Sequence, residues 1–394
     1  MSMKILHLIP SLNYSATTRQ LGLLSQGLPR EQFDLQICVL GEDDSAIGLL
    51  GPEPAVHVLG KTRFVNLVAL WKLRRLLRSF QPDIIHASGM AAVRNLAVVG
   101  RAKSRLMVGV SLTSPMKPLD RWLLRKADRI VVRSKAEAER CSLAGLPGVK
   151  ITTISLGLAT NDHSPLTTHH SPLATHHSRL ILCAGKLEPH KGYRDAIWAL
   201  DIVSFLYPEI HLVLAGQGPD HQRLENFAQR NKISPRISFL GSCADMPGLL
   251  ARATAVWVPS LADTGLSIAL EAMAAGKAVI ATNVPSLREI ITDGRNGFLV
   301  PPGDKVALAR RTCERLRNPD LARNIGEAAR THVQAFSAKR FVERHMALYR
   351  ALVPQHDACG RSLSGDVLQT RVKSSAAEEP EAPVEAAAQT SEVF

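Results

Sequence analysis

The chain has 394 residues, 45% hydrophobic and 21% charged, and 48 Lys and Arg against 35 Asp and Glu give a net charge of +13. At ~150 residues per domain this is room for two globular domains, each able to bury a full core. No apolar run approaches the ~20 residues of a membrane-spanning helix, the six cysteines lack CxxC or metal-ligand spacing, and no zinc-finger, RNP or basic recognition-helix pattern points to nucleic acid.

The opening MSMKILHLIP enters a strand-like run at once, without the basic, apolar and cleavage segments of a signal peptide, so a cytoplasmic protein is expected. Through residue 158, apolar runs alternate with amphipathic stretches: KILHLI, then Arg19 to Leu28, DLQICVL, Leu67 to Phe80, DIIHA and ADRIVV. That order predicts parallel β-α-β units. Between Asn161 and Ser178 it collapses into HSPLTTH followed by HSPLATH, a polar repeat with nothing to build a core. The segment reads as a spacer, with metal binding by His169, His170, His176 and His177 as the lesser alternative. Alternation resumes with RLILCAG, HLVLAG, ISFLG, AVWVPS and AVIAT, each followed by a helical pattern. Ser337 to Val353 is a late amphipathic helix, and Ala358 to Phe394, rich in Ala, Glu, Ser and Pro, reads as disordered. From Gln355 onward there are three basic and seven acidic residues, so the first 354 carry +17 and attract phosphate-bearing partners.

Three clusters carry chemistry. In CAGKLEPHKG a strand ends at Gly185, and Lys186 and Lys191 occupy the following loop, where open α/β sheets bind ligands. In HLVLAGQGPD, Gly216 and Gly218 follow a strand, either to let a ligand approach the backbone or simply to make a tight turn. In VPSLADTGLSIALEAMAAGKAVIAT, a strand over Ala255 to Pro259 leads to a helix over Leu266 to Ala275, closed by Gly276. The N–H groups near Gly265, Leu266 and Ser267 then form an anion site, and Glu271 lies where a ribose diol can be accepted. Taken alone, Asp263 or Thr264 reads equally well as no more than the helix N-cap.

In this order the clusters resemble the retaining glycosyltransferases of family 4, on "G-K-L-x-x-x-K-G", "L-A-G-x-G-P", "F-L-G", "V-P-S", "E-A-M-A-A-G-K-A-V-I-A-T" and "D-G-R-N-G-F-L-V-P-P-G-D". The amino-terminal half adds "K-I-L-H-L-I-P-S-L", "P-D-I-I-H-A" and "A-D-R-I-V-V-x-S". The resemblance implies an α/β fold of two facing Rossmann-like domains with parallel sheets, the B-type glycosyltransferase fold. Residues 1–158 would be the acceptor-side domain, 159–179 a low-complexity linker and 180–336 the donor-side domain. Residues 337–353 would form a helix packing back on the first domain, and 354–394 a disordered tail.

The resemblance further implies transfer of a hexose from a nucleotide-diphosphate sugar to a glycan, lipid-linked or small-molecule acceptor, with retention and with neither cofactor nor essential metal. Asp263, Lys191 and Glu271 would be catalytic: Glu271 holds the ribose, Lys191 neutralises the diphosphate, and Asp263, eight residues before Glu271, faces the transferred sugar. Lys186, Gly216, Gly218, Thr264, Gly265, Leu266 and Ser267 would complete the donor site. Ser15, Ala16 and His86 would line the amino-terminal side of the cleft. Ser15 and Ala16 stand in place of the family's Gly-Gly, Leu156 in place of its Asn, and VGVSLTS has no histidine where many members carry one. These departures suggest the alternatives of a non-catalytic sugar-nucleotide-binding or scaffolding protein, or a related nucleotide-sugar epimerase.

The stretch Leu67 to Phe80 puts Leu70, Leu73, Leu77 and Phe80 on one face and Lys72, Arg74, Arg75 and Arg78 elsewhere, and Arg121, Trp122, Arg125 and Lys126 repeat the theme. Such a helix either packs on the sheet with solvated charges or gives peripheral contact with the inner face of an anionic membrane.

Overall fold

The computed structural model describes residues 2–52, 54–60, 67–101, 103–111, 116–159 and 179–353. The expected linker, apart from Ala159 and Arg179, and the tail 354–394 lie outside the described residues.

The amino-terminal unit runs β1 (Met3–Ile9), α1 (Ala16–Gly27), β2 (Phe33–Val39), β3 (Ala55–Val58), α2 (Leu67–Phe80), β4 (Ile84–Ser88), α3 (Gly89–Val99), β5 (Arg105–Gly109), α4 (Pro118–Arg125), β6 (Arg129–Val132), α5 (Lys135–Leu143) and β7 (Ile151–Thr153). Its strands form one parallel sheet ordered β3-β2-β1-β4-β5-β6-β7. The central strands read as unbroken apolar runs because both faces are covered. Leu6, Leu8, Ile85 and Val108 pack under α2, α3 and α4 on one face. Met3, Ile5, Ile84 and Met107 pack on the other.

The carboxy-terminal unit runs β8 (Arg179–Ala184), α6 (Tyr193–Ser204), β9 (Ile210–Ala215), α7 (His221–Arg230), β10 (Ile237–Gly241), α8 (Met246–Arg252), β11 (Ala255–Val258), α9 (Leu266–Ala274), β12 (Val279–Thr282), α10 (Pro285–Arg288), β13 (Phe298–Val300), α11 (Lys305–Arg317) and α12 (Pro319–His332). Its parallel sheet is ordered β10-β9-β8-β11-β12-β13. The strand order of the first six strands is thus the same in both units, the doubly wound arrangement.

A last helix, α13 (Ala338–Leu352), leaves the second unit and joins the first. Its Phe341, Val342, Tyr349 and Leu352 are buried with Met3, Ile5, Leu24 and Phe33, at roughly 1.5–3 kcal/mol for each large apolar side chain. Its path is set where the chain crosses between units a second time. Leu158 donates to the Phe336 carbonyl at 2.7 Å, and Ala338 to the Leu158 carbonyl at 2.9 Å, so the two crossings lie side by side.

Candidate functional site

In each sheet the strand order reverses once, between β1 and β4 and between β8 and β11, and crevices open at the carboxyl ends of such strands. The two edges face one another across a cavity of about 450 Å³, lined by Asn13 to Thr17, Arg19 and Arg133 from the first unit and by Lys186, Lys191 and Thr264 to Ile268 from the second.

Helix α9 starts on this cavity. Gly265, not Asp263 or Thr264, is its N-cap, and no side chain caps the first turn. The chain needs glycine there: φ is +97°, and a Cβ would stand 2.3 Å from Val258 Cγ1. The N-terminal N–H groups of α9 are therefore open to the cavity, with the positive end of the helix dipole behind them. Gly276, with φ +68°, lies one residue beyond the C-cap Ala275.

Asp263 also lines the cavity, with both carboxylate oxygens engaged. Its Oδ1 accepts from the Ser286 amide at 2.7 Å and from the Ser286 hydroxyl, and its Oδ2 accepts from Arg140 Nη1 of α5. The N-cap alternative is corrected for this reason: both oxygens of the carboxylate accept from Ser286 and Arg140, and neither caps α9. Close by, the amides of Lys135 and Ala136 donate to Glu289 at 2.9 and 2.6 Å, so a second-unit carboxylate sits at the N-terminus of α5. Thr264 donates to Ser260 Oγ at 3.1 Å.

Lys186 and Lys191 both line the cavity. Among the described residues neither ammonium has a carboxylate within ion-pair distance. Burial, then the nearby charges of Arg133 and Lys186, push the Lys191 ammonium down to about 8, against the opposing pull of Glu188. Such a site has surplus positive charge. Gly192 holds Lys191 in place, since its φ is +70° and a Cβ there would lie 1.8 Å from the Pro259 carbonyl oxygen.

Gly216 also lines the cavity, but its need for glycine comes from within the fold: a Cβ would lie 1.8 Å from the Gly185 carbonyl oxygen, where the β8 and β9 loops cross. Gly218 makes the same crossing against Leu187 and does not line the cavity. Glu271 lies behind the helix start rather than on the cavity wall. Its Oε1 accepts from Arg19 Nε at 3.1 Å and Nη2 at 2.8 Å, from α1 of the other unit. Burial raises its carboxyl above the ordinary range, and Arg19 pulls it back down.

On the amino-terminal side, Ser15 caps α1 through its Oγ, 3.3 Å from the Thr18 amide, and Ala16 begins the helix; both line the cavity. A second cavity of about 330 Å³ continues past them into the first unit. His86 lines it with His7 and His345, and apolar walls come from Ile9, Leu21, Val110 and Phe341. His86 Nδ1 is 2.9 Å from Tyr349 Oη and His7 Nε2 is 2.8 Å from Ser88 Oγ. Burial, then the neighbouring imidazole of His345, pushes His7 down to about 3; burial pushes His345 to about 4 and His86 well below its usual value. The floor of this cavity is a cluster of neutral imidazoles.

Sequence reasoning missed Arg19, Arg133, Arg140 and Glu289. Arg133 had a signal, as the variable position of "A-D-R-I-V-V-x-S" at a strand end. Arg19, Arg140 and Glu289 act across 252, 123 and about 150 residues of chain, and nothing local marks them.

The profile of Glycosyl transferases group 1 matches residues 167–332, and that of Glycosyltransferase Family 4 matches residues 17–162. EpsD of Bacillus subtilis, a glycosyltransferase by name, is 28% identical over 309 residues, 73% of this chain and 81% of its own. The glycogen synthase of Mycobacterium tuberculosis is 26% identical over 271 residues, 64% of each chain. Among solved structures, Anabaena Alr3699/HepE in complex with UDP-glucose superposes with a TM-score of 0.75 at 22% identity, over 89% of this chain and 100% of its own. The sucrose-phosphate synthase of Thermosynechococcus elongatus superposes at 0.68 and 20% identity, over 89% and 99%. The fold is that of two facing Rossmann-like domains, the B-type glycosyltransferase fold.

Proposed function

Because this chain belongs to the group 1, family 4 glycosyltransferases, we propose that it moves a hexose from a nucleoside-diphosphate sugar in the interdomain cavity to a glycan, lipid-linked or small-molecule acceptor, with retention and without an essential metal. The observation that carries this is the pairing of an uncapped helix start at Gly265 with two ammonium groups, Lys186 and Lys191, that have no carboxylate at ion-pair distance among the described residues. A diphosphate supplies the missing charge: its oxygens accept from the α9 amides while the two lysines neutralise the rest. HepE was crystallised with UDP and glucose, which makes UDP-sugars the first donors to test.

In this reading, negative charge builds on the diphosphate as the glycosidic bond breaks. Lys186, Lys191 and the α9 amides are preorganised for that charge in a partly closed site, where such stabilisation is strongest. The leaving phosphate oxygen takes the acceptor proton, so no side-chain base is required. Glu271 receives the ribose hydroxyls on its unoccupied oxygen or after Arg19 withdraws. Asp263, held by Arg140 and Ser286, positions the loop before α9 and keeps the two units in register.

The test is a panel of UDP-, GDP- and ADP-sugars with the purified protein, following nucleoside diphosphate release, with Glu271→Ala as control. Release from one donor, lost in the variant, supports the reading. Tight binding without release in the presence of candidate acceptors points to a sugar-nucleotide-binding protein instead, and absence of binding to every donor refutes the site.

A further inference from the structure

Helix α2 buries Ala69, Leu73, Leu77 and Phe80 against the sheet, which satisfies its core-facing stripe. A second apolar ridge is left over: Leu67 is 76% exposed and Trp71 60%. The same happens on α4, where Leu123 and Leu124 are buried while Leu119 and Trp122 are 58% and 53% exposed. The two helices flank α3, which packs on both, so the ridges lie on one face of the first unit. In a parallel sheet each helix starts beyond the carboxyl end of the preceding strand, so the starts of α2 and α4, with Leu67 and Leu119, lie at the end of the sheet that opens on the cleft, and Trp71 and Trp122 follow about one turn further along.

This face is also basic. Helix α2 carries Lys72, Arg74, Arg75 and Arg78 and no acidic residue, and α4 with its flanking residues carries Lys117, Arg121, Arg125 and Lys126 against the single acid Asp120. Asp120 is occupied by Arg94 of α3 at 2.9 and 2.7 Å. Each exposed tryptophan has a cation against its ring: Arg75 lies 5.6 Å from the Trp71 centroid and Lys126 3.4 Å from that of Trp122. Exposed tryptophans, each with a cation against its ring, on a face that is basic throughout match the boundary of an anionic bilayer, where indole rings partition to the headgroup level and Lys and Arg pair with lipid phosphates.

We infer that the α2–α4 face docks on an anionic phospholipid bilayer, with Trp71 and Trp122 inserted at the headgroup level and the cleft opening toward the membrane. No helix among the described residues is long and apolar enough to cross a membrane, so the contact is peripheral. This deepens the proposed function by naming where the acceptor is met: a lipid-linked acceptor in that bilayer has a short path to the apolar second cavity.

The full-length protein is floated with vesicles of phosphatidylcholine alone and of phosphatidylcholine with about 30% phosphatidylserine. Binding is expected to the second only, weakening as salt rises, and to fall about fivefold for each basic residue removed, as in Arg74→Gln and Arg75→Gln. Vesicles carrying brominated lipid should quench fluorescence in the parent and not in Trp71→Phe/Trp122→Phe; the remaining Trp198 and Trp257 belong to the other unit. Absence of vesicle binding overturns the inference. So does binding without quenching, which would mark a general polyanion surface. Glu271→Ala is expected to bind vesicles normally, so a failed donor site and a failed membrane face give different results.

Discussion

The imidazoles of His7, His86 and His345 form a contiguous cluster, with His7 and His86 tilted, their centroids 4.2 Å apart, and His86 and His345 stacked at 5.8 Å. All three are held neutral by burial, and protonating one inside the fold would place a charge against its neighbours. The sign of the consequence follows from the unfolded chain, where histidine titrates near 6.5. Below that value the unfolded state binds protons that the folded state refuses, so stability falls with pH and levels off only as the folded values of about 3 and 4 are approached. At pH 5 the loss is about 1.4 kcal/mol per unit of the gap between 6.5 and 5, or ~2 kcal/mol per histidine. His7 and His345 alone therefore contribute a loss of ~4 kcal/mol, and His86 adds in the same direction, against a typical total stability of ~5–15 kcal/mol. The assay is urea unfolding at pH 8 and pH 5 followed by tryptophan fluorescence, in the parent and in His345→Gln. The difference between the two pH values should shrink by ~2 kcal/mol in the variant, whatever its absolute stability. An unchanged difference would show that His345 is not kept neutral and would refute the account of the cluster.

Lys191, lowered to about 8, loses its charge as pH rises through that value, so affinity for UDP measured by calorimetry should decline above pH 8, by up to about tenfold per unit, and Lys191→Arg should move the decline upward. Gly192→Ala forces a Cβ against the Pro259 carbonyl at a left-handed φ; a loss of ~2 kcal/mol or more and weakened UDP binding are expected, read by thermal melting and titration. Arg19→Met and Glu271→Gln should be coupled in a double-mutant cycle of thermal stability by about 1 kcal/mol, discounted from a fully buried pair because Arg19 is 28% exposed; zero coupling would remove the interdomain bridge from the argument.

The sequence pattern was most legible where strands are buried on both faces. RLILCA and HLVLA could hardly be anything else, and the helix after AVWV announces itself with a glycine at each end. β3, AVHV, was missed because it is an edge strand with its end residues exposed and little apolar signal, and β13 because three residues are too few to carry a period. In the site, Lys186, Lys191 and the start of α9 were visible because strand, loop and helix follow one another within a few residues. What stayed hidden was the other half of every interdomain contact. Asp263 read as an N-cap from its local context, and only the fold brings Arg140 and Ser286 to it. Glu271 read as an open ribose acceptor, and only the fold brings Arg19.

The return of α13 to the first unit has a consequence for synthesis. Tyr349, fully buried beneath β1 and against Phe33, comes from a helix made after the whole carboxy-terminal unit. The first unit therefore emerges from the ribosome with an apolar groove along Met3, Ile5 and Leu24 uncovered, and holds it open while the roughly 180 residues between residue 158 and the start of α13 are translated. The second unit can fold on its own schedule, but the first is completed last. A chain stopped before residue 338 would release a finished donor half attached to an unfinished partner, and such fragments should be captured by chaperones through the groove that α13 normally fills.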